Sequence, residues 1–409
     1  MSGPIRILLF STLYPSRSRP IHGIFVETRL RELLKSGLVS VKVVAPVPWF
    51  PFSGKVFGEY GRMAATPLQE TRNDIEVHHP RYFLPPRVGM NIAPDLIARA
   101  AIPVVRRLMR EGFDFDLIDA HYYYPDGVAA GIVAQACGKP FIVTARGTDL
   151  NLVPDFPLPR RRIVETARLA AASIGVCKAL MDRLEELGAE RGKLHVLRNG
   201  VDLRRFSPLP RGDARRHLGW SETARILLSV GHLIERKGHH IAIEAVPLLP
   251  QDVRLVIVGS GEERTRLERL ARERGVAARV VFAGAVAQDE LRWFYSAADA
   301  LTLCSSREGW ANVLLESMAC GTPVIATSIW GTPEVIATPE AGRLMGERSA
   351  PALVEAFDQL FGDYPDRQAT RRYAETFSWE ATTNAQLRLM ARIAGKSVNT
   401  RARLTGDPD

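Results

Sequence analysis

Short apolar runs alternate with amphipathic stretches along the whole chain, and that rhythm limits the fold more than any other feature. In the first half, "IRILLF", "VKVVAP", "IEVHHP", "LIDAHYYY", "FIVTAR", "SIGVC" and "HVLRN" read as strands, and in the second half "RILLSVG", "RLVIVG", "RVVFAG", "ALTLC" and "PVIAT" do. Several are near-continuous Val, Ile and Leu, the pattern of parallel strands covered on both faces. Between them, stretches such as "EERTRLERLARERG" and "DELRWFYSAAD" carry helical periodicity. Strands alternating with helices give a doubly wound α/β sheet. These strands are too many for one such sheet, and 409 residues exceed one ordinary core. Two domains are therefore expected, over 1–200 and 201–379, followed by a helical segment 380–396 and a polar tail 397–409. The turn-rich stretch "NGVDLRRFSPLPRGD" marks the hinge, because the strand series restarts after it.

No apolar run nears the roughly 20 residues that a membrane helix needs. The run in "MSGPIRILLFSTLYPS" is short for a signal peptide, and no small-residue cleavage site follows it, so a cytoplasmic location is expected. Cys137, Cys177, Cys304 and Cys320 are scattered without a CxxC pair, which argues against a disulfide framework or a zinc site. The net charge of +9 either serves solubility alone or suits a partner of opposite sign, phosphorylated small molecules or anionic lipid. Nucleic acid is not expected, since no zinc-finger spacing, RNP-like motif or basic repeat occurs. Trp49, Phe50 and Phe52, expected to be exposed in the loop "VPWFPF", with Arg160, Arg161 and Arg162 in "LPRRR", suit an anionic membrane surface. The other reading of these two segments is an acceptor-cleft wall and a solvated helix start.

In open parallel sheets, ligands bind beyond the carboxyl ends of the strands. In the second half the segments there include "HLIERKG", "SGEE", "SSREGWANVLLE" and "SIWGTPE". Arg236 and Lys237, just before Gly238 and a helix, suit a phosphate or diphosphate; an idle basic turn is the other reading. "REGWANVLLE" places Glu308 in a loop and Glu316 about one turn inside a helix expected to begin near Val313, capped by Asn312 or Ser306. The N–H groups of that first turn form an anion site. Ionised carboxylates only accept hydrogen bonds, so the pair suits the vicinal hydroxyls of a ribose or hexopyranose; the other reading is that Glu308 favours the helix dipole and Glu316 is an exposed helix residue. Glu316 lies in otherwise apolar sequence and needs a partner. "VGSGEE" holds only a fragment of the dinucleotide fingerprint, so a nicotinamide-dependent dehydrogenase is not expected. No metal site is expected either: Asp114 and Asp116 precede a strand, and the adjacent His239 and His240 diverge on a helix. Gly23 lets the backbone approach a ligand or simply makes a turn. His121, at the end of its strand, reads as a ligand contact or as a structural hydrogen-bonder.

Together these residues resemble the retaining glycosyltransferases of family four, whose GT-B fold sets two doubly wound, Rossmann-like parallel-sheet domains facing across a cleft. "EGWANVLLESMACGTPVIAT" followed by "GTPEVI" is similar to the family signature, "SVGHLIERKGHH" to its diphosphate loop and "NGVDLRRFSP" to its linker. "LYPSRSRPIHGIFV" and "DAHYYYPDGVAA…KPFIVTARGTDLN" are similar to acceptor-side motifs of members that build bacterial exopolysaccharide or cell-wall polymers. The resemblance implies a hexosyltransferase that moves a sugar from a nucleotide-diphosphate sugar to a glycan or lipid-linked acceptor with retention, without metal or other cofactor; the expected location is cytoplasmic, peripheral on the inner face of the plasma membrane if the aromatic and arginine segments rest there. It implies that Arg236 and Lys237 bind the diphosphate, Glu316 the ribose and Glu308 the transferred sugar. The backbone at Trp310, Ala311 and Asn312 would meet phosphate or sugar, Gly23 would admit the phosphate from the other side, and His121 would contact the sugar. Arg146 and Asp149 fall on the acceptor side, and the last helix crosses back to the first domain. Three positions depart from the family pattern: His232 stands for a more usual Arg, Ala311 for Gly or Pro, and Trp330 for Gly. A sugar-nucleotide 2-epimerase shares the architecture but would need further acid/base groups around the sugar. A non-catalytic sugar-nucleotide or glycan-binding protein would need neither Glu308 nor His121.

Overall fold

The computed structural model describes residues 3–84 and 89–397. Apart from Ser397, the tail expected at 397–409 lies outside the described residues. Contacts divide the chain into two units, residues 1–197 with 380–409 and residues 198–379.

The first unit contains β1 (Ile5–Phe10), β2 (Val39–Val44), β3 (Val47–Pro48), β4 (Gln69–Arg72), β5 (Ile75–His78), β6 (Arg81–Tyr82), β7 (Leu117–His121), β8 (Phe141–Ala145), β9 (Ala172–Gly175) and β10 (Leu194–Val196). Eight of these form a sheet in the order β10-β9-β8-β7-β1-β2-β5-β4, while β3 and β6 pair separately. Neighbours in the large sheet run parallel except β4 against β5. Ile5, Ile7, Leu8, Leu9 and Phe10 of β1 are all fully buried, which is why that run is continuous rather than alternating. The helix Trp379–Ile393 places Leu387, Leu389 and Met390 in the same core cluster as Ile5, Ile7 and Leu117. Past that helix, Lys396 Nζ donates to Asp116 Oδ2 at 2.6 Å. Strand order reverses between β1 and β7, and Ser11 Oγ donates to the His121 carbonyl there at 3.0 Å.

The second unit contains β11 (Arg225–Val230), β12 (Val253–Val258), β13 (Val280–Gly284), β14 (Ala300–Leu303), β15 (Val324–Thr327) and β16 (Gly342–Met345). All are parallel, in the order β13-β12-β11-β14-β15-β16. Leu227, Leu255 and Ile257 of the sheet pack with Phe357 and Leu360 of the helix Ala350–Gly362. That helix starts at Ser349, whose hydroxyl accepts the Ala352 N–H at 3.2 Å. Here the order reverses between β11 and β14, so the loops following these two strands flank the crevice where such sheets bind ligands. Among the described residues no helix is long and apolar enough to cross a membrane.

Candidate active site

The loop after β11 forms a 3-10 turn over Glu235–Lys237 and enters the helix His239–Ala245 through Gly238. Gly238 has φ 72°, and a Cβ there would lie 1.9 Å from the Cys304 carbonyl oxygen. Only glycine lets the basic turn press against the end of β14. The contact is then locked from both sides. Ser306 N–H donates to the Arg236 carbonyl at 2.9 Å, and Arg236 Nη1 donates to the Arg307 carbonyl at 2.7 Å. Arg348, just past β16, donates from Nε to the Cys304 carbonyl and from Nη2 to the Glu235 carbonyl, both at 2.9 Å.

This bracing brings Glu308 to the two cations. Its Oε1 accepts from Lys237 Nζ at 2.6 Å and from Ser305 Oγ at 2.7 Å, with Arg236 Nη1 at 3.6 Å. Glu308 is 8% exposed, so the ion pair sits in low dielectric and is shielded from salt. The loop thus joins Lys237 and Glu308 in one contact, where the sequence assigned them to separate parts of a ligand. His239 braces the turn from beneath: Nδ1 lies 2.9 Å from Ser229 Oγ and Nε2 lies 3.2 Å from the His232 carbonyl. Burial pushes its pKa down to about 4, so the ring is neutral at pH 7.

The helix begins at Asn312, one residue before the expected start, and Ala311 is its cap residue. A methyl group cannot accept a hydrogen bond, and among the described residues no side chain caps this helix. The Asn312 side chain instead accepts from Asn199 Nδ2 at 3.3 Å. The first-turn N–H groups therefore remain uncapped by side chains, which suits an anion. Trp310 turns its ring into the unit, 5.9 Å from the Phe377 centroid, with the Arg198 guanidinium 5.9 Å over its face.

Glu316 is the half-buried carboxylate on this helix. Its partner is the Tyr295 hydroxyl, which donates to Oε2 at 2.8 Å. Tyr295 is fully buried and packs edge-on against Phe206. Burial pushes the Glu316 pKa up to about 7, with the Tyr295 hydrogen bond pulling the other way. Sequence reading missed Tyr295. A single tyrosine on the apolar face of "LRWFYSA" gives no sign of a partner 21 positions away.

In the first unit, His121, Arg146 and Asp149 come together at the ends of β7 and β8, where His121 pairs in register with Thr144. The His121 ring is 1% exposed. Its Nδ1 accepts from Arg146 Nη2 at 2.5 Å, and Nε2 lies 3.4 Å from Asp119 Oδ2. Burial pushes its pKa down to about 4, with Asp119 opposing. Both ring nitrogens are committed inside the unit, so a sugar contact requires the ring to give one up. Asp149 accepts the N–H groups of Tyr123 at 2.7 Å, Gly147 at 2.7 Å and Arg146 at 3.0 Å, and so pins the loop that carries Arg146. Asp126, not singled out from the sequence, accepts from Thr12 N at 2.7 Å and from the Thr12 and Ser11 hydroxyls. Gly23 has φ 66°, and a Cβ there would meet the Leu13 carbonyl oxygen at 2.2 Å, so its own loop already demands glycine. Asp114 pairs with Lys139 at 2.7 Å, and Asp116 accepts the Arg6 N–H at 2.7 Å.

These loops can be set beside known proteins. A family model described as "Glycosyl transferases group 1" matches residues 210–377, and one described as "Glycosyltransferase Family 4" matches residues 23–205. A D-inositol 3-phosphate glycosyltransferase of Mycobacterium tuberculosis is 34% identical over 340 residues, which cover 78% of this chain and 70% of its own. The chain belongs to the family-four glycosyltransferases. A Bacillus subtilis protein named for glycosyl transfer in teichuronic acid biosynthesis is 29% identical to this glycosyltransferase over 360 residues, covering 86% of this chain and 88% of its own. Anabaena HepE, solved in complex with UDP-glucose, superposes with a TM-score of 0.69 at 18% identity, covering 95% of this chain and 99% of its own. The fold is GT-B. Within it, Trp330 adopts φ 45°, the left-handed region that a side chain enters at a cost of about 1 kcal/mol or more. That explains the glycine more usual at this position.

Proposed function

We propose that this glycosyltransferase moves a sugar from a nucleoside-diphosphate sugar to a glycan or lipid-linked acceptor of a cell-envelope polysaccharide, retaining the anomeric configuration and using no metal. The observation that carries the reading is the Arg236–Lys237–Glu308 cluster beside the start of the helix Asn312–Ala319, at the strand-order reversal of the second sheet. Fixed cations and uncapped helix amides stabilise a departing diphosphate in a preorganised way. The Glu308 carboxylate beside them suits hydroxyls of the sugar at the reacting carbon, and Glu316 suits the ribose. The bond from the anomeric carbon to the phosphate oxygen breaks, and a bond to the acceptor oxygen forms on the same face. The acceptor proton passes to the leaving phosphate oxygen. The teichuronic acid relative supports an envelope polymer, and the HepE complex supports a UDP-sugar.

The test is incubation with a panel of nucleotide sugars and a lipid extract, with product mass and anomeric couplings as readouts. Transfer with retention is expected. An epimerised donor, or binding without turnover, sinks the reading. Because cations and amides replace a metal ion, initial rates should stay within about twofold in excess chelator. Rates lost on chelation and restored by manganese would overturn the metal-free mechanism.

A pH effect also follows from Tyr295. Glu316 accepts ribose hydroxyls best when ionised, and the Tyr295 hydrogen bond favours the ionised form. Tyr295→Phe removes that hydrogen bond, so the Glu316 pKa rises further and less carboxylate is present at pH 7. Nucleoside diphosphate affinity should fall about tenfold at pH 7 and recover towards pH 9. The phosphate titration is common to both proteins and cancels in their affinity ratio. A ratio independent of pH would show that Tyr295 does not act through Glu316.

A further inference from the structure

Most of the large apolar side chains that the first unit leaves exposed are grouped, with Ile21, Leu68 and Leu169 as the exceptions. Residues 51–60, "PFSGKVFGEY", are exposed without exception. Their aromatic rings cluster on one another: Phe52 stacks on Phe57 with centroids 5.5 Å apart, and both lie against Phe50. Phe50 is the half-buried hub, which corrects its expected exposure. The cluster continues sideways. Trp49 lies 6.4 Å from Phe83, and Leu84 rests on Gly89 at the start of the helix Gly89–Arg110. Met90 and Ile92 of that helix are 39% exposed. Arg162 ties its Asp95 to the helix Pro157–Leu169, at whose start Phe156 and Leu158 are also exposed. One surface thus runs from Trp49 to Leu158. Monomeric soluble proteins rarely expose contiguous apolar surface on this scale without a partner.

The charges on that surface decide the partner. Lys55 lies within the aromatic cluster, and Arg160 and Arg161 are exposed beside Phe156 and Leu158. Among the described residues, Lys55 and Arg161 have no acidic partner, and Arg160 donates only to the Pro154 carbonyl. The acids on this face are fewer: Glu59 pairs with Arg62 and Asp95 with Arg162, while Asp155 is exposed beside Phe156, so the cations stay in excess. Aromatic rings with interleaved cations are what a headgroup layer carrying negative charge accommodates. We infer that this face of the first unit docks on a bilayer surface containing anionic lipid, with the Trp49–Tyr60 segment entering the headgroup layer. The inference goes beyond sugar transfer and is tested without any donor, so either can fail alone.

The experiment is flotation of the full chain with vesicles of phosphatidylcholine alone and of an equal mixture of phosphatidylcholine and phosphatidylglycerol. Wild type should float with the mixture, less so as salt rises, and poorly with phosphatidylcholine alone. Trp49→Ser with Phe52→Ser should lower recovery at least tenfold, with thermal unfolding unchanged because both side chains are solvent-exposed. Arg160→Gln and Arg161→Gln should each lower the partition coefficient about fivefold and flatten the salt dependence. Equal recovery of wild type and the aromatic variant overturns the inference, as does failure of wild type to float. Salt-independent recovery also overturns it. So does wild-type self-association in sedimentation that the aromatic variant abolishes, which would make the face a contact between copies.

Discussion

Glu308→Gln is expected to lower turnover about 100-fold while leaving the affinity for free nucleoside diphosphate within about threefold. The substitution keeps the shape of the side chain and an oxygen for Lys237 and Ser305, whose hydrogen bonds to Oε1 are 2.6 and 2.7 Å. It removes the negative charge. Lys237 then keeps a hydrogen bond but loses its ion-pair partner, so its charge is directed more fully at the diphosphate and ground-state binding does not suffer. The transferred sugar loses its charged acceptor at the moment positive charge develops on the anomeric carbon, and that loss appears in turnover. Glu308→Ala would confuse the two effects, because it also leaves the loop around Lys237 unsupported. Calorimetry with the nucleoside diphosphate and initial rates at saturating donor separate them. Lost binding with preserved turnover would mean that Glu308 holds the turn and not the sugar.

The strands were legible where burial on both faces makes the sequence monotonous. β1, β11, β12 and β15 are nearly pure aliphatic runs because helices cover both sides of the sheets. β4, "QETR", was not legible, since an edge strand with a polar face has neither continuity nor apolar alternation. β16, "GRLM", and the two-residue strands β3 and β6 are too short to show a period. The C-terminal helix expected over 380–396 runs Trp379–Ile393, and the helix before it, Arg367–Glu375, was not singled out. In the candidate site, Arg236, Lys237 and Glu308 could be grouped from sequence because strand-following loops gather at one edge of a parallel sheet. What sequence could not supply was who touches whom. The Lys237–Glu308 pair, Tyr295 under Glu316, and Arg146 donating to His121 all join residues from different strands, helices or loops. Each depends on register and burial that no local spacing encodes. The same holds for the helix cap: polar residues flank its start, yet Ala311 occupies the cap position.

Glu316→Ala should weaken nucleoside diphosphate binding about 30-fold, the loss of hydrogen bonds to a charged acceptor, and lower turnover at saturating donor less than tenfold. The ribose lies away from the bond that breaks, so an anchor there acts mainly on the ground state, with some share carried into the transition state. The alanine variant has a second effect: it leaves the buried Tyr295 hydroxyl without the acceptor it meets at 2.8 Å, so stability should fall by about 1–3 kcal/mol. Glu316→Gln separates the two, because its amide oxygen still accepts from Tyr295. Its binding loss should be about fivefold, with thermal unfolding close to wild type. A structural role and a ribose-binding role still predict different ligand dependence. Wild type should prefer the ribonucleoside diphosphate to its 2′-deoxy analogue, because one carboxylate accepting two vicinal hydroxyls loses a bond when one hydroxyl is gone. Glu316→Ala should bind the two ligands equally, since the group that tells them apart has been removed. If the preference survives in Glu316→Ala, some other residue holds the ribose, and Glu316 serves only to satisfy Tyr295.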